Sequence, residues 1–268
     1  MAGARLPLAT IAALVVPVVA GLSWMAAGGA PMAWIAVNAG ALALGLALAA
    51  MLPMPQRADG VTLLAAAIVA ALFVTAFAGT SVDGVARWVT LGPIRLHVGY
   101  LLLPLLAVLA TRLASACAVA LLVLALLATL LQPDRAATFA IVATLAALAH
   151  VRRDRASFVG LIVAIAGGSA AFATHDSLAP VRWVEAVQDD AWQVQPVAGL
   201  ALTLATLAPL WVLRGQGANA LPLAASLVTA GLMAFAGPYP SILIGYGAAP
   251  ILGFGLALAA LRCQGTGR

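Results

Sequence analysis

The chain reads as long apolar runs separated by brief polar punctuation. Candidate spans fall at 6–26, 31–53, 61–79, 97–111, 114–131, 136–150, 156–174, 196–213, 220–236 and 241–261. Most are about as long as an α-helix needs to cross a hydrocarbon core roughly 30 Å thick; the fourth and sixth are short for a full crossing. Ten crossings at roughly 20 residues each would use about 200 residues and leave only short connections. The pattern predicts an all-α polytopic membrane protein, a single integral membrane domain over 1–268, with a bundle of about ten transmembrane helices.

Composition points the same way. Hydrophobic residues make up 65% of the chain and charged residues 8%, with a mean hydropathy of +1.12. About a quarter of a soluble domain is charged, so this chain lacks the polar residues to cover itself in water. All 13 basic residues are Arg, and the net charge is +5. The positive-inside rule accounts for that excess without a nucleic-acid partner. If both termini are cytoplasmic, Arg5, Arg57, Arg112, Arg152, Arg153, Arg155, Arg214, Arg262 and Arg268 lie inside, while Arg87, Arg95, Arg135 and Arg182 lie outside. The acids fall the other way: Asp83, Asp134, Asp176, Glu185, Asp189 and Asp190 outside, Asp59 and Asp154 inside.

Arg5 followed by an apolar run and small residues near Gly28 has the outline of a secretory signal. The length of that run and the close second span favour an uncleaved first helix. Small residues four apart, such as Ala41 with Gly45 and Gly253 with Ala257, predict close helix packing. Cys117 and Cys263 differ too much in depth to pair, and His97, His150 and His175 show no metal-ligand spacing. No metal or other cofactor is implied, although a divalent cation would be chemically compatible with a phosphate substrate. No ionisable residue lies near the centre of a span, which argues against ion-coupled transport, proton pumping and voltage sensing. An uncoupled carrier of an amphiphile stays open. Asn38 is the main polar residue within a span, and inter-helix hydrogen bonding explains it.

Polar residues concentrate in three outer loops, near 80–96, 131–136 and 175–196. Four Arg on the face that normally excludes them fit either Arg–carboxylate pairs and Trp anchors finishing the helices, or a site for an anionic lipid head group. Arg would hold phosphate there in bidentate fashion, beside a carboxylate able to take a proton.

These loops resemble those of the SEDS family (shape, elongation, division and sporulation; the FtsW/RodA/SpoVE proteins). Gly84, Arg87, Trp88, Leu91, Gly92 and Pro93 match its G-A-R-R-W-I-x-L-G-P signature. Leu131-Gln132-Pro133-Asp134 is similar to its L-Q-P-D. Trp192-Gln193 and Gln195 resemble its aromatic-Gln pair, and Pro238-Tyr239-Pro240 with Gly245-Tyr246-Gly247 its P-L-P-F-x-S-Y-G-G. The chain departs from the pattern at Ala86, at His97-Val98-Gly99-Tyr100 in place of Q-P-S-E, and at Arg135-Ala136-Ala137-Thr138 in place of L-G-T. Two extra residues stand between Pro240 and Gly245. After Gln195, the long outer loop carrying the family's proposed catalytic Asp has no counterpart.

The resemblance implies a multi-pass protein of the bacterial inner membrane. It would work on or near lipid II, or another undecaprenyl-linked precursor, beside a class B penicillin-binding protein or other cell-wall synthase. The implied reaction is peptidoglycan glycosyl transfer, in cell division or cell-shape control. Arg87, with Arg182 and Arg135 behind it, would hold the pyrophosphate. Asp190 or Asp189, with Asp176 behind them, would be the base. Asp134 is expected to close an outer helix end against an Arg. Three readings stay open: a divergent glycosyltransferase, a catalytically inactive scaffold or regulator of a synthase, and an uncoupled lipid-precursor carrier.

Overall fold

A computed structural model of the chain describes residues 6–92, 94–173 and 178–264. Three helices come first: α1 (Leu8–Ala27), α2 (Met32–Met51) and α3 (Ala58–Ala78). Three strands follow: β1 (Thr80–Val82), β2 (Val85–Leu91) and β3 (Ile94–His97). The remaining helices are α4 (Val98–Ala110), α5 (Ser115–Leu131), α6 (Arg135–Arg152), α7 (Arg155–Ala171), α8 (Val187–Val194), α9 (Pro196–Leu213), α10 (Leu221–Leu232) and α11 (Ala248–Gln264). Six helical stretches are long and apolar enough to cross a membrane: α1, α2, α3, α6, and α9 and α10 with their adjoining 3₁₀ turns. Four shorter apolar helices, α4, α5, α7 and α11, lie among them. Large apolar side chains face outward, including Leu63, Phe77, Ile162, Ile165 and Trp211. Such an apolar exterior is suited to lipid and not to water. The chain is a predominantly helical, multi-pass membrane protein.

Sequence explains where several helices begin. Asp134 and Asp154 precede α6 and α7, and their carboxylates accept from the backbone N–H groups of Ala137 (3.0 Å) and Ser157 (2.8 Å). Each satisfies a donor that the first helical turn leaves unpaired. Packing explains why α4 is short. Its 13 residues rise only about 20 Å, yet all except Leu101 and Leu102 are buried against α3, α6, α10 and α11. A helix shielded from lipid need not match the bilayer's thickness.

The small-residue spacing marks real contacts. A Cβ on Gly255 would lie 2.4 Å from the Gly45 carbonyl oxygen, so α11 and α2 touch backbone to backbone. A Cβ on Gly253 would lie 2.3 Å from the Tyr100 oxygen of α4. Without a hydrophobic drive between helices in lipid, such approach supplies the packing that holds them together.

Three expectations need correction. The loop near 80–96, expected on the outer side, is an antiparallel meander in the order β1-β2-β3, with Val82 opposite Val85 and Trp88 opposite His97. Asp83 (φ 50°) and Gly84 (φ 83°) form its first turn, the left-handed Asp-Gly pair that matches the twist of two-residue hairpins. The loop near 175–196 contains α8. The last span does not start at 241: α11 begins at Ala248, and residues 238–247 form an irregular segment in which 241–245 are all buried. An apolar run looks alike in sequence whether it becomes a helix or a buried loop.

That segment is inserted into the bundle. Asn38 Nδ2 donates to the Gly245 carbonyl at 2.9 Å, and the Gly247 N–H donates to Asn38 Oδ1 at 3.0 Å. Asn38 lies six residues in from Met32, about 9 Å along the helix. On the neighbouring α1, a Cβ on Gly21 would come within 2.1 Å of the Ile244 oxygen. Irregular backbone at membrane depth is tolerated only where protein satisfies it, and Asn38 and Gly21 provide the partner and the space.

Candidate functional site

The helix ends are tied together at both faces of the bundle. At one face Arg112 donates to the Gln56 carbonyl (3.2 Å), Arg262 to Leu52 (2.9 Å), and Arg152 to Ala110 and Leu113 (2.8 Å each). At the other lie the meander, the α5–α6 turn, α8 and the inserted segment, which carry the residues singled out from sequence.

Strand β2 turns Arg87 inward, where the residue is 2% exposed. Its Nε donates to the Gln132 carbonyl at 3.1 Å, and a terminal guanidinium nitrogen donates to the Pro133 carbonyl. Gln132 Nε2 donates in turn to the Leu72 carbonyl of α3 at 2.7 Å. Asp134 shares this cluster. One carboxylate oxygen caps α6, and the other lies 3.2 Å from His97 Nε2. His97 Nδ1 lies 3.3 Å from the Tyr100 N–H, and Nε2 on the other side of the ring faces Asp134. Trp88 meets the His97 ring edge-on at 5.7 Å, and Tyr100 stacks on it at 4.1 Å. Burial by itself would raise the Asp134 pKa. The charges of Arg87 and His97 and the hydrogen bonds from His97 and Ala137 more than offset it and hold the carboxyl below its usual value.

The two remaining Arg candidates are also engaged. Arg135 Nε donates to the Ala171 carbonyl at 2.9 Å, which closes the end of α7, and its guanidinium lies 5.6 Å from the Phe172 ring centre. Arg182 grips Asp190 in a fork, Nε to Oδ1 at 3.1 Å and the terminal nitrogen to Oδ2 at 3.3 Å, while its guanidinium stacks over Trp183 at 4.3 Å. A proposed phosphate ligand and a proposed base are thus partners of each other. The pair stays open to the surface, with Arg182 53% exposed and Asp190 18% exposed at the side chain.

Asp189, next to that pair on α8, is exposed. It lines a cleft of about 320 Å³ with Pro180, Glu185, Ala186, Gly237 and Pro238. Glu185 accepts from the Val181 N–H at 2.8 Å, which fixes the lead-in to α8. Gln193 is exposed, whereas the neighbouring Trp192 Nε1 donates to Thr203 at 3.2 Å. Tyr246 stacks on Trp34 at 4.3 Å and its N–H donates to the Trp183 carbonyl at 2.6 Å. Gly247 is held by Asn38 as described. Gly84 and Gly92 (φ 59°) are turn residues of the meander. Pro93, His175 and Asp176 lie outside the described residues.

The sequence reading took His97 as an interfacial histidine, named Glu185 as an outer acid without a role, and missed Gln188. Buried Gln188 donates to Thr206 at 3.1 Å and accepts from Thr203 at 3.4 Å. It moors α8 on α9 from a buried stripe shared with Val187 and Ala191, which eight residues are too few to reveal as a periodic pattern in sequence. Among the described residues, no three His, Cys, Asp or Glu converge as a metal site would need.

Two groupings result at this face. The Arg87–Gln132–Asp134–His97 cluster is buried and internally hydrogen-bonded, which suits bracing. The Arg182–Asp190 pair with Asp189 and Glu185 is open, charged with both signs and set beside a cleft, which suits contact with a polar ligand. Compared with models of known protein families and with curated proteins, the chain matches none.

Proposed function

We propose that this protein is a SEDS-like cell-wall membrane protein that engages lipid II, or another undecaprenyl-linked precursor, at the outer face of the bacterial inner membrane. In this reading about ten apolar helices cross the bilayer, with both termini in the cytoplasm. The observation that carries it is the cleft lined by Glu185 and Asp189 beside the forked Arg182–Asp190 pair. The reaction that suits these groups is glycan polymerisation. Asp189, the exposed carboxylate, takes the proton of the acceptor sugar hydroxyl as its oxygen bonds to the anomeric carbon. The bond to the pyrophosphate breaks, and undecaprenyl pyrophosphate leaves with the electron pair. A positioned base of this kind contributes about 10² to 10⁴ in rate. Arg182, released from Asp190 by the stronger charge of a pyrophosphate, stabilises the leaving group. Asp190 then becomes available as a second base. Arg87 and Arg135 brace the scaffold.

A second reading, a catalytically silent scaffold that regulates a synthase such as a class B penicillin-binding protein, draws support from one observation. Arg87, the Arg of the family-like signature, is buried and donates to backbone carbonyls. Polymerisation of fluorescent lipid II by the purified protein, alone and with synthase partners, separates the two. Glycan ladders that disappear in Asp189→Asn and weaken in Arg182→Gln support the enzyme. Precursor binding without ladders under any condition supports the scaffold, and absence of binding to either variant or wild type overturns both.

A further inference from the structure

The arginine-rich end of the bundle, opposite the site discussed above, holds an open cleft of about 490 Å³. His150, Val151 and Arg153 line it from the end of α6, and Arg214, Gly217, Ala218 and Leu221 from the α9–α10 elbow. Three of these seven residues are His or Arg, all three are exposed, and among the described residues no acid lines the cleft. The acid closest in sequence, Asp154, is occupied: one oxygen caps α7, and the other accepts from the Ser115 hydroxyl at 2.5 Å. Arg152, beside Arg153 in sequence, spends its guanidinium on the Ala110 and Leu113 carbonyls. Arg153 and Arg214 therefore stand apart from the tie bonds that engage Arg112, Arg152 and Arg262 at the same face.

The elbow keeps the cleft open. Gly217 adopts φ 96°, and a Cβ built on Gly215 or Gly217 meets nothing within 4 Å. Arg153 terminates α6 in a left-handed conformation, φ 54°, which turns the chain away from the helix axis there. Trp211, one turn before the elbow, is 57% exposed, and the Arg214 guanidinium lies 4.4 Å from its ring centre. An exposed Trp at the end of a membrane helix marks the level of lipid head groups. A cationic pocket between helices at that level has the chemistry to recognise a phosphate ester.

We propose that the cleft between the end of α6 and the α9–α10 elbow binds the phosphate of an anionic phospholipid, with Arg153 and Arg214 as ligands, His150 at the rim and Trp211 against the upper acyl chain. Occupancy would fasten α6 to the elbow between α9 and α10 across the cleft. The assignment concerns the opposite face and stands independently of any activity on a lipid-linked precursor.

Quenching of Trp fluorescence tests it, with the full chain reconstituted in phosphatidylcholine vesicles containing a minor fraction of dibrominated phosphatidylglycerol or, separately, dibrominated phosphatidylcholine. Phosphatidylglycerol is expected to quench more at equal mole fraction, and Trp211→Phe is expected to remove the excess. Arg153→Gln and Arg214→Gln should each weaken the apparent affinity about fivefold, the effect of one cation at an anionic surface. Arg57→Gln, at the same face and outside the cleft, should leave it unchanged. Equal quenching by the two lipids overturns the proposal, as does an excess that survives the Arg153/Arg214 double variant. An excess that falls equally with Arg57→Gln overturns it too, since that is general surface attraction. Displacement of the lipid by inorganic phosphate at constant ionic strength would assign the cleft to a soluble phosphate compound and overturn the lipid assignment.

Discussion

Asn38 and Gly247, 209 positions apart in sequence, are joined at 3.0 Å, and the same carboxamide also donates to the Gly245 carbonyl. One side chain on α2 thereby satisfies backbone groups on both sides of Tyr246, inside a segment that is itself neither helix nor sheet. Asn38 is 1% exposed, so water cannot replace it.

Asn38→Leu should therefore be costly. It leaves a buried carbonyl and a buried N–H without their partner, at about 1 to 3 kcal/mol each. A clear fall in the thermal midpoint of the detergent-solubilised protein is expected, together with faster proteolysis between Pro240 and Gly247. An unchanged midpoint would show that the inserted segment is held by other contacts.

Gly21 and Gly40 should respond in opposite directions to Ala. The Cβ on Gly21 would collide with the Ile244 backbone oxygen at 2.1 Å, whereas nothing lies within 4 Å of one on Gly40. Backbone moves less readily than a side chain, so Gly21→Ala should destabilise by about 1 to 3 kcal/mol. Gly40→Ala should be neutral or stabilising by up to about 1 kcal/mol, from helix propensity alone. Thermal midpoints of the two variants measured side by side check both signs.

The Asp134 carboxyl gives the buried cluster a pH signature. Because its pKa is lower in the folded protein than in the unfolded chain, its contribution to stability is fully present above about pH 4. It is lost as pH falls through the lower folded value, since the unfolded state then binds the proton more readily. Asn also caps helices well, so Asp134→Asn removes the charge and keeps the cap. The stability gap between wild type and Asp134→Asn should be constant from pH 7 to about pH 5 and narrow below about pH 4. A gap that persists to low pH would mean that shape and not charge sets the contribution of this residue.

Arg182→Gln should separate function from stability. Exposed ion pairs contribute about 0 to 1 kcal/mol, so the thermal midpoint should move by no more than about 4 °C. Binding of a pyrophosphate-bearing lipid should fall severalfold in the same variant. A large loss of stability with binding intact would make the Arg182–Asp190 fork a structural clasp.

Much of the helical framework was legible in the chain itself. The apolar runs from 8 to 27, 32 to 51 and 58 to 78 became helices within a few residues of where hydropathy placed them, because lipid forces the backbone to satisfy itself and a helix does so locally. Asp134 fell at a helix end as expected, whereas its capping of α6, the capping of α7 by Asp154 and the turn at Asp83-Gly84 emerged only in the structure. Small residues at Gly45 and Gly253 marked faces of close approach.

The tertiary structure alone decided the rest, and the reason is common to each case. Whether 241–247 became helix or loop depended on Asn38 and Gly21, some two hundred positions away, which supply two of its hydrogen bonds and its space, and on the Trp183 and Val184 carbonyls that accept from Tyr246 and Ser241. Whether Arg87 faced a ligand or the interior depended on carbonyls at the α5–α6 turn, and no pattern of charge near Arg87 reveals them. The pairing of Arg182 with Asp190 required α8, whose eight residues are too few for periodicity to show and which Gln188 moors to α9. Local sequence sets which backbone conformations are inexpensive. Which charged side chains meet, and which remain open to a ligand, is set by contacts that exist only once distant helices have packed.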